Sequence, residues 1–148
     1  SNEQLEKVEL YGNNSLINKS LYDREIMDFK GTIDRDRIHE IYDYTNLIFF
    51  ILEINPPCPN ALIEAISAGV PAIGFDTGSF KEIIKDAGIF LEYDKESKKL
   101  EVPNFDKVED SIEEIIGNYG HYVEKAVKVS KDYRVSIMGD KYLRVLLP

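Results

Sequence analysis

The stretch PPCPNALIEAISAGVPAIGF, residues 56–75, decides the fold, because it contains a loop, a helix and the strand that follows. Its prolines mark the loop, the predicted helix runs from about Asn60 to Ala68, Gly69 ends it, and PAIGF forms the strand. At roughly 100° per residue, one side of this helix is small and apolar. That side carries Leu62, Ala65, Ile66 and Gly69. The other side is polar and carries Asn60, Glu64 and Ser67.

The alternation of strand and helix continues in both directions along the chain. The predicted strands are Lys7 to Gly12, Ile26 to Gly31, Leu47 to Glu53, Pro71 to Phe75 and Ile89 to Tyr93. A helix opens at Asp34, with an apolar face of Ile38, Ile41 and Tyr42, and another is predicted at residues 79–87. Three helical patterns follow the last strand, and the third has an apolar face of Met138, Tyr142, Val145 and Leu146. Strands separated by helices pair in parallel through right-handed crossovers, so the pattern predicts a doubly wound α/β sheet with C-terminal helices.

Composition limits the possible classes of protein. The chain has 148 residues, 43% of them hydrophobic, which suits one folded domain and argues against disorder. A formal net charge of -9 argues against nucleic acid as a partner. The one cysteine, Cys58, excludes an internal disulfide and fits a reducing compartment such as the cytoplasm. The longest apolar run, LIFFIL, is too short for a transmembrane segment, and Ser1-Asn2 is interpreted as a cloning remnant.

Ligands of open α/β sheets bind beyond the carboxyl ends of the strands. The loops at those ends follow Gly12, Gly31, Glu53 and Phe75. The helix that starts near Asn60 follows one of these strands, and the free N–H groups and dipole at its start favour an anion such as phosphate. Glu64, one turn further in, could accept hydrogen bonds from ribose hydroxyls. The alternative is that Asn60 only caps the helix and Glu64 only faces water.

The loop after Phe75 is open to two interpretations. In FDTGSFKEII, Gly78 follows a strand, and Ser79 and Glu82 have the S-x-x-E spacing of a capping box. In such a box the Ser79 hydroxyl accepts from the third helical N–H, and the Glu82 carboxylate accepts from the Ser79 N–H. In the functional interpretation, the Gly78–Ser79 backbone approaches a sugar closely and Glu82 binds its hydroxyls.

These segments together resemble the C-terminal half of retaining glycosyltransferases of the large family 4 group. The resemblance runs from about Gly31 to Tyr93 through FKGTI, DRIHEIYDYTNLIFFIL and PCPNALIEAISAGVPAIGFDTGSFKEIIKDAGIFLEY. The tail YRVSIMGDKYLRVL is similar to the family's closing helix. The motif N-EA-x-x-x-G-x-P followed by TG-x-x-x-E is fairly specific in combination, although each piece alone is weak. The resemblance implies that residues 1–148 are one Rossmann-like domain of the two-domain GT-B architecture. Such a domain binds a nucleotide-diphosphate sugar, while a missing N-terminal domain binds the acceptor.

The resemblance also implies a set of donor-binding residues. They are Gly31 and Thr32 near the base, the backbone of Pro59, Asn60, Ala61 and Leu62 at the diphosphate and sugar, Glu64 at the ribose, and Gly78, Ser79 and Glu82 in a Gly-Gly-x-x-Glu-like signature. No catalytic residue is assigned. No cofactor and no metal ion are expected, since the nucleotide sugar is a substrate.

Two departures from the family pattern affect the function. Pro56 stands eight positions before Glu64, where the family has the first glutamate of an E-x7-E pair. In the family, an arginine and a lysine bind the diphosphate, and they precede the strand that begins here at Lys7. The chain is therefore expected to be a piece of a longer enzyme and to be inactive alone. The longer enzyme is expected to be cytoplasmic or peripheral at the membrane. His39 and His121 are predicted to be surface residues. A non-catalytic glycosyltransferase-like module, a sugar-nucleotide 2-epimerase and a doubly wound signalling domain are the alternatives.

Overall fold

The computed structural model describes residues 8–11, 27–43, 47–51, 57–92 and 105–147. Several residues named from the sequence lie outside these ranges; they are Ser1, Asn2, Lys7, Gly12, Ile26, Glu53, Pro56 and Tyr93. The chain divides into two compact units, Ser1–Asp43 and Tyr44–Pro148.

The first unit contains a parallel pair of strands, β1 (Val8–Tyr11) and β2 (Met27–Gly31). The Lys30 ammonium joins the two strands, because it lies 3.2 Å from a Glu9 carboxylate oxygen on β1 and 2.7 Å from an Asp28 carboxylate oxygen on β2. These side chains are partly exposed, so the two ion pairs contribute little to stability. The parallel pairing predicted for these strands is confirmed.

The helix predicted to open at Asp34 is a 3₁₀ helix, Arg35–Asp43, rather than an α-helix. None of its residues is buried. In a 3₁₀ helix, residues three apart eclipse each other, so Ile38 and Ile41 still share a face. Tyr42 lies about a third of a turn away from that face, which differs from the prediction.

The second unit is built on a parallel sheet whose described strands have the order β3–β4–β5. These strands are β3 (Phe49–Ile51), β4 (Ala72–Phe75) and β5 (Gly88–Leu91). Helix α1 (Asn60–Ser67) connects β3 to β4, and α2 (Phe80–Ile84) connects β4 to β5. All of β4 is buried, as a central strand covered on both faces requires. The predicted parallel pairing is confirmed here as well.

Helices cover both faces of this sheet. Ala72 of β4 belongs to one apolar cluster, and its strand neighbours Ile73 and Phe75 belong to another. Successive positions of a strand point to opposite faces, so the two clusters lie on opposite sides of the sheet. The first cluster takes helical members from α1, α2 and α4 (Tyr119–Ser130), and the second from α3 (Phe105–Gly117) and the start of α4. The doubly wound α/β fold is therefore confirmed.

The two predicted sides of α1 are also confirmed. Leu62, Ala65 and Ile66 are buried, and each fully buried Leu or Ile side chain contributes about 1.5–3 kcal/mol. Gly69 follows the helix with a φ of +82°, in the left-handed region that favours glycine. Its β-carbon, if present, would lie 3.3 Å from Val123 of α4. The small residues at the end of α1 thus allow α4 to pack closely.

The last helix, α5 (Val135–Leu146), follows a 3₁₀ turn at Lys131–Tyr133 and contains no buried residue. Met138 is half-buried, but the other large apolar side chains of this helix are exposed, with Val135 at 89% and Val145 at 80% of full exposure. The three C-terminal helices are confirmed, but the apolar face predicted for the third one lies open. Across the described ranges, no helix has both the length and the apolar character needed to cross a bilayer.

Candidate functional site

Two loops of the second unit leave the sheet at the same edge. Ile51, the last residue of β3, lies opposite Gly74 on the parallel strand β4. The chain therefore leaves both strands at their shared carboxyl edge and continues into α1 and α2. A β-carbon at Gly74 would lie 2.7 Å from the Ile51 carbonyl oxygen and 2.8 Å from Phe80 Cε2. Glycine at this position lets β3 and the first residue of α2 pack closely on β4.

Helix α1 begins after Pro59, which occupies the N-cap position with extended backbone, φ -72° and ψ 108°. The Pro59 carbonyl oxygen accepts hydrogen bonds from the N–H groups of Leu62 at 3.0 Å and Ile63 at 3.3 Å. Pro59 itself contributes no side-chain capping bond. The interpretation of Asn60 as a cap is wrong, because Pro59 has the extended backbone that a cap requires and Asn60 is already helical. The first turn has no acidic side chain, so no carboxylate there offsets the positive end of the helix dipole.

The polar side of α1 is accessible to solvent. Asn60 and Ser67 are exposed, and Glu64 is half-buried. The Ser67 hydroxyl donates to the Ile63 carbonyl at 2.7 Å, a bond within the helix. The Glu64 carboxylate forms no hydrogen bond or ion pair with another described residue. Leu62 is fully buried, and its N–H donates to the Pro59 carbonyl. The donor-binding roles assigned to these residues stay predictions.

The connection from β4 to α2 has the geometry of a type II′ turn. Gly78 has a φ of +57°, and Ser79 has φ -88° and ψ 0°. These angles fit the two central positions of such a turn, and the Phe80 nitrogen lies 3.4 Å from the Thr77 carbonyl oxygen. Ser79 forms no side-chain capping bond, so the predicted capping box is wrong. A capping residue needs extended backbone, whereas this turn places Ser79 in the helical region, and Glu82 is exposed.

Sequence reasoning missed an ion pair that spans this turn. The Lys81 ammonium lies 2.8 Å from an Asp76 carboxylate oxygen and 5.4 Å from the centre of the Phe90 ring. Both charged groups are exposed, so the pair contributes only about 0–1 kcal/mol to stability. The signal in the sequence is an acid and a lysine five positions apart on either side of Gly78. Neither the helix period nor the strand period pairs residues at that spacing.

Tyr133 is a second residue that sequence reasoning missed. It belongs to the 3₁₀ turn after α4, yet its hydroxyl donates a long hydrogen bond, 3.4 Å, to the Glu82 carbonyl oxygen of α2. No local pattern marks this residue, because its position depends on how the chain folds back after α4.

The other residues named from the sequence are more isolated. Gly31 ends β2 with a φ of +79°, and Thr32 is exposed; both belong to the first unit, and their place near a base stays a prediction. His39 and His121 are exposed, as predicted, and Cys58 is an exposed free thiol. Within the part of the chain that the structure describes, no three His, Cys, Asp or Glu side chains are grouped so as to hold a metal ion.

Comparison with known proteins gives one family. No curated protein matches the chain. The family described as "Glycosyl transferases group 1" matches residues 14–132. This range covers most of the chain, including the sheet of the second unit, both loops at its carboxyl edge and the helices up to α4. The chain therefore belongs to the glycosyl transferases group 1 family.

Proposed function

We propose that this chain is the donor-binding half of a retaining glycosyltransferase of the family 4 type. It would bind a nucleotide-diphosphate sugar, whose sugar passes to an acceptor hydroxyl with retained anomeric configuration. The observation that carries the proposal is the shared sheet edge, at which the start of α1 and the Gly78–Ser79 turn follow neighbouring strands. Family membership supports glycosyl transfer in general.

The diphosphate would lie at the start of α1. The dipole there is equivalent to about half a positive charge, and the first turn carries no acidic side chain to oppose an anion. As the glycosidic bond breaks, the diphosphate gains negative charge and the sugar becomes oxocarbenium-like. Fixed N–H groups near Asn60 would stabilise the leaving group without reorganising. Pro59 restricts the backbone before the ligand arrives, which lowers the ordering cost of binding.

The ribose and the sugar would lie beside the diphosphate. Glu64 is one turn into α1 on its polar side, and its carboxylate has no described partner to compete with ribose hydroxyls. The backbone of Gly78 and Ser79 and the exposed Glu82 would then face the donor sugar. Gly78 suits this role because it has no side chain to keep a ligand away from the backbone.

The test is a binding panel with a matched pair of variants. The chain is titrated with UDP, GDP and ADP and with their glucose conjugates, and binding is followed by calorimetry and melting temperature. We expect Glu64→Gln to raise the dissociation constant about tenfold, or about 1.4 kcal/mol, because it removes a charged acceptor. Glu124→Gln, at an exposed position of α4, is the control and should leave the constant unchanged. The assignment fails if no nucleotide binds, or if both variants behave alike.

A second function is a glycosyltransferase-like module that binds the donor without transferring it. Pro56 favours this function, because proline has no carboxylate where the resemblance expects the first acid of the pair. Release of nucleoside diphosphate by the full-length protein in the presence of an acceptor would support transfer. The configuration of the product, measured by nuclear magnetic resonance, would test retention. Nucleotide binding without release of nucleoside diphosphate would instead support the non-catalytic module.

A further inference from the structure

The Gly78–Ser79 turn is closed by a weak backbone hydrogen bond. This bond, from the Phe80 N–H to the Thr77 carbonyl, is 3.4 Å long, beyond the usual range of about 2.7–3.2 Å. Gly78 is exposed and has a φ of +57°, and glycine has more backbone freedom than any other residue. A turn of this kind needs further contacts if it is to keep one geometry without a ligand.

A side-chain bridge supplies such a contact. Asp76 precedes the turn and Lys81 follows it, and the Lys81 ammonium lies 2.8 Å from an Asp76 carboxylate oxygen. Each end of this bridge also rests on β5. The Asp76 N–H donates to the Leu91 carbonyl at 2.9 Å, and the Lys81 ammonium lies 5.4 Å from the centre of the Phe90 ring. The bridge therefore ties both sides of the turn to a strand of the sheet.

We propose that the Asp76–Lys81 ion pair positions the Gly78–Ser79 turn to receive the donor sugar. The inference rests on the proposed function, in which the backbone of this turn faces the sugar. The N–H and C=O groups of a turn meet sugar hydroxyls at the lowest cost when the turn already has its bound geometry. Without the bridge, the donor would have to order the turn as it binds, and the contribution of the sugar to the affinity would fall.

A set of variants at the two charged residues tests this proposal. Lys81→Met removes the positive charge but keeps an unbranched side chain, Asp76→Asn removes the negative charge, and a double variant combines both. Lys81→Arg keeps a cation that can pair with Asp76 and stack on Phe90. The first measured quantity is the dissociation constant of each glucose conjugate of UDP, GDP and ADP, divided by that of the free nucleotide. The second is the rate at which the Phe80 amide hydrogen exchanges with water, followed by nuclear magnetic resonance without ligand.

The matched control is an ion pair at the other end of α2. Lys85 directly follows this helix with a φ of +53°, and its ammonium lies 2.6 Å from an Asp132 carboxylate oxygen. The two aspartates are similarly exposed, with side chains at 43% for Asp76 and 50% for Asp132. Asp132→Asn therefore removes the same charge and the same kind of contact with α2, but not at the Gly78–Ser79 turn.

We expect Lys81→Met, Asp76→Asn and the double variant each to raise the ratio of dissociation constants about threefold, a size that fits the loss of one exposed ion pair. The same variants should exchange the Phe80 amide hydrogen about threefold faster, because the turn opens more often. Lys81→Arg and Asp132→Asn should match the wild type in both measurements. A direct effect of charge on the donor phosphates is different in sign, because loss of a cation weakens the binding of an anion and loss of a carboxylate strengthens it.

The outcomes separate this proposal from the proposed function. If Lys81→Met or Asp76→Asn matches Asp132→Asn in either measurement, or if the two variants change the ratio in opposite directions, the pair does not position the turn. A double variant that shows the product of the two single effects would also overturn the proposal, because the two residues would then act separately. If the wild type binds none of the nucleotides or conjugates, the proposed function fails. The exchange rate of the Phe80 amide hydrogen then still decides whether the pair fixes the turn, because that measurement needs no ligand.

Discussion

Gly74→Ala is expected to destabilise the second unit strongly, although it adds only one methyl group. The new carbon would lie 2.6 Å from Ile51 Cγ2, 2.7 Å from the Ile51 carbonyl oxygen and 2.8 Å from Phe80 Cε2. Carbon atoms pack best at about 3.5–4.0 Å, so all three distances are repulsive. Ile51 is 7% exposed and Phe80 is 0% exposed, and neither has space to move away. Overpacking typically costs about 1–3 kcal/mol, and because one clash is with backbone we expect about 3 kcal/mol.

The assay is urea denaturation followed by far-ultraviolet circular dichroism, because the chain has no tryptophan to report by fluorescence. With a slope of about 1–3 kcal/mol/M, a loss of about 3 kcal/mol lowers the urea midpoint by about 1–3 M. The control is Gly139→Ala in α5, where an added β-carbon would meet no atom within 4 Å. Alanine there should raise stability by up to about 1 kcal/mol, since it favours the helix more than glycine does.

A loss of less than about 1 kcal/mol in Gly74→Ala, with an unchanged slope, would contradict the close packing of β3 and Phe80 on β4. The placement of α1 and α2 at one sheet edge depends on that packing. The result would therefore also weaken the proposed donor site.

Three further predictions concern pH, backbone strain and burial. Burial and a hydrogen bond to Glu114 raise the pKa of Tyr122 to about 12. The amount by which the free energy of unfolding exceeds that of Tyr122→Phe is therefore full below about pH 10 and shrinks as the pH rises to about 12. Urea midpoints of the two proteins in alkaline buffers would measure this difference. Lys85→Gly should raise the free energy of unfolding by about 0.5–1 kcal/mol. It removes about 1–3 kcal/mol of backbone strain, and the losses of backbone entropy and of an exposed ion pair are smaller. If the strain is absent, thermal melts would show a lower melting temperature for the variant. Leu62→Ala, at a buried position, should lower the free energy of unfolding by about 2–5 kcal/mol, and Val145→Ser, at an exposed one, by less than about 0.5 kcal/mol. Equal urea midpoints for the two variants would contradict the burial assigned to α1 and α5.

The element order and the two sides of α1 could be predicted from the sequence, because both depend on local periodicity. Ala72 to Phe75 lie in a predicted strand, and they form β4. Leu62, Ala65 and Ile66 recur at helical spacing, and all three face the core. Residues three or four apart on a helix share a face whatever the rest of the chain does.

The candidate site could be predicted only in part. Its position at the carboxyl edge follows from the parallel strands, and Gly78 was marked by its place after a strand. The capping functions of Asn60 and Ser79 were predicted wrongly, because a cap depends on backbone angles that residue type does not determine. The Lys81–Asp76 pair was missed because its geometry depends on the turn between the two residues.

By itself the sequence determined the alternation of strands and helices, the apolar faces and the membership of a glycosyltransferase family, since these are properties of neighbouring residues and of their order. Only the tertiary structure decided that Tyr133 reaches Glu82, that Lys85 is held with a positive φ, and that the apolar face of α5 stays open. The physical reason is distance along the chain. A contact between residues far apart in sequence forms only after several elements have packed, and its geometry is the sum of all their positions.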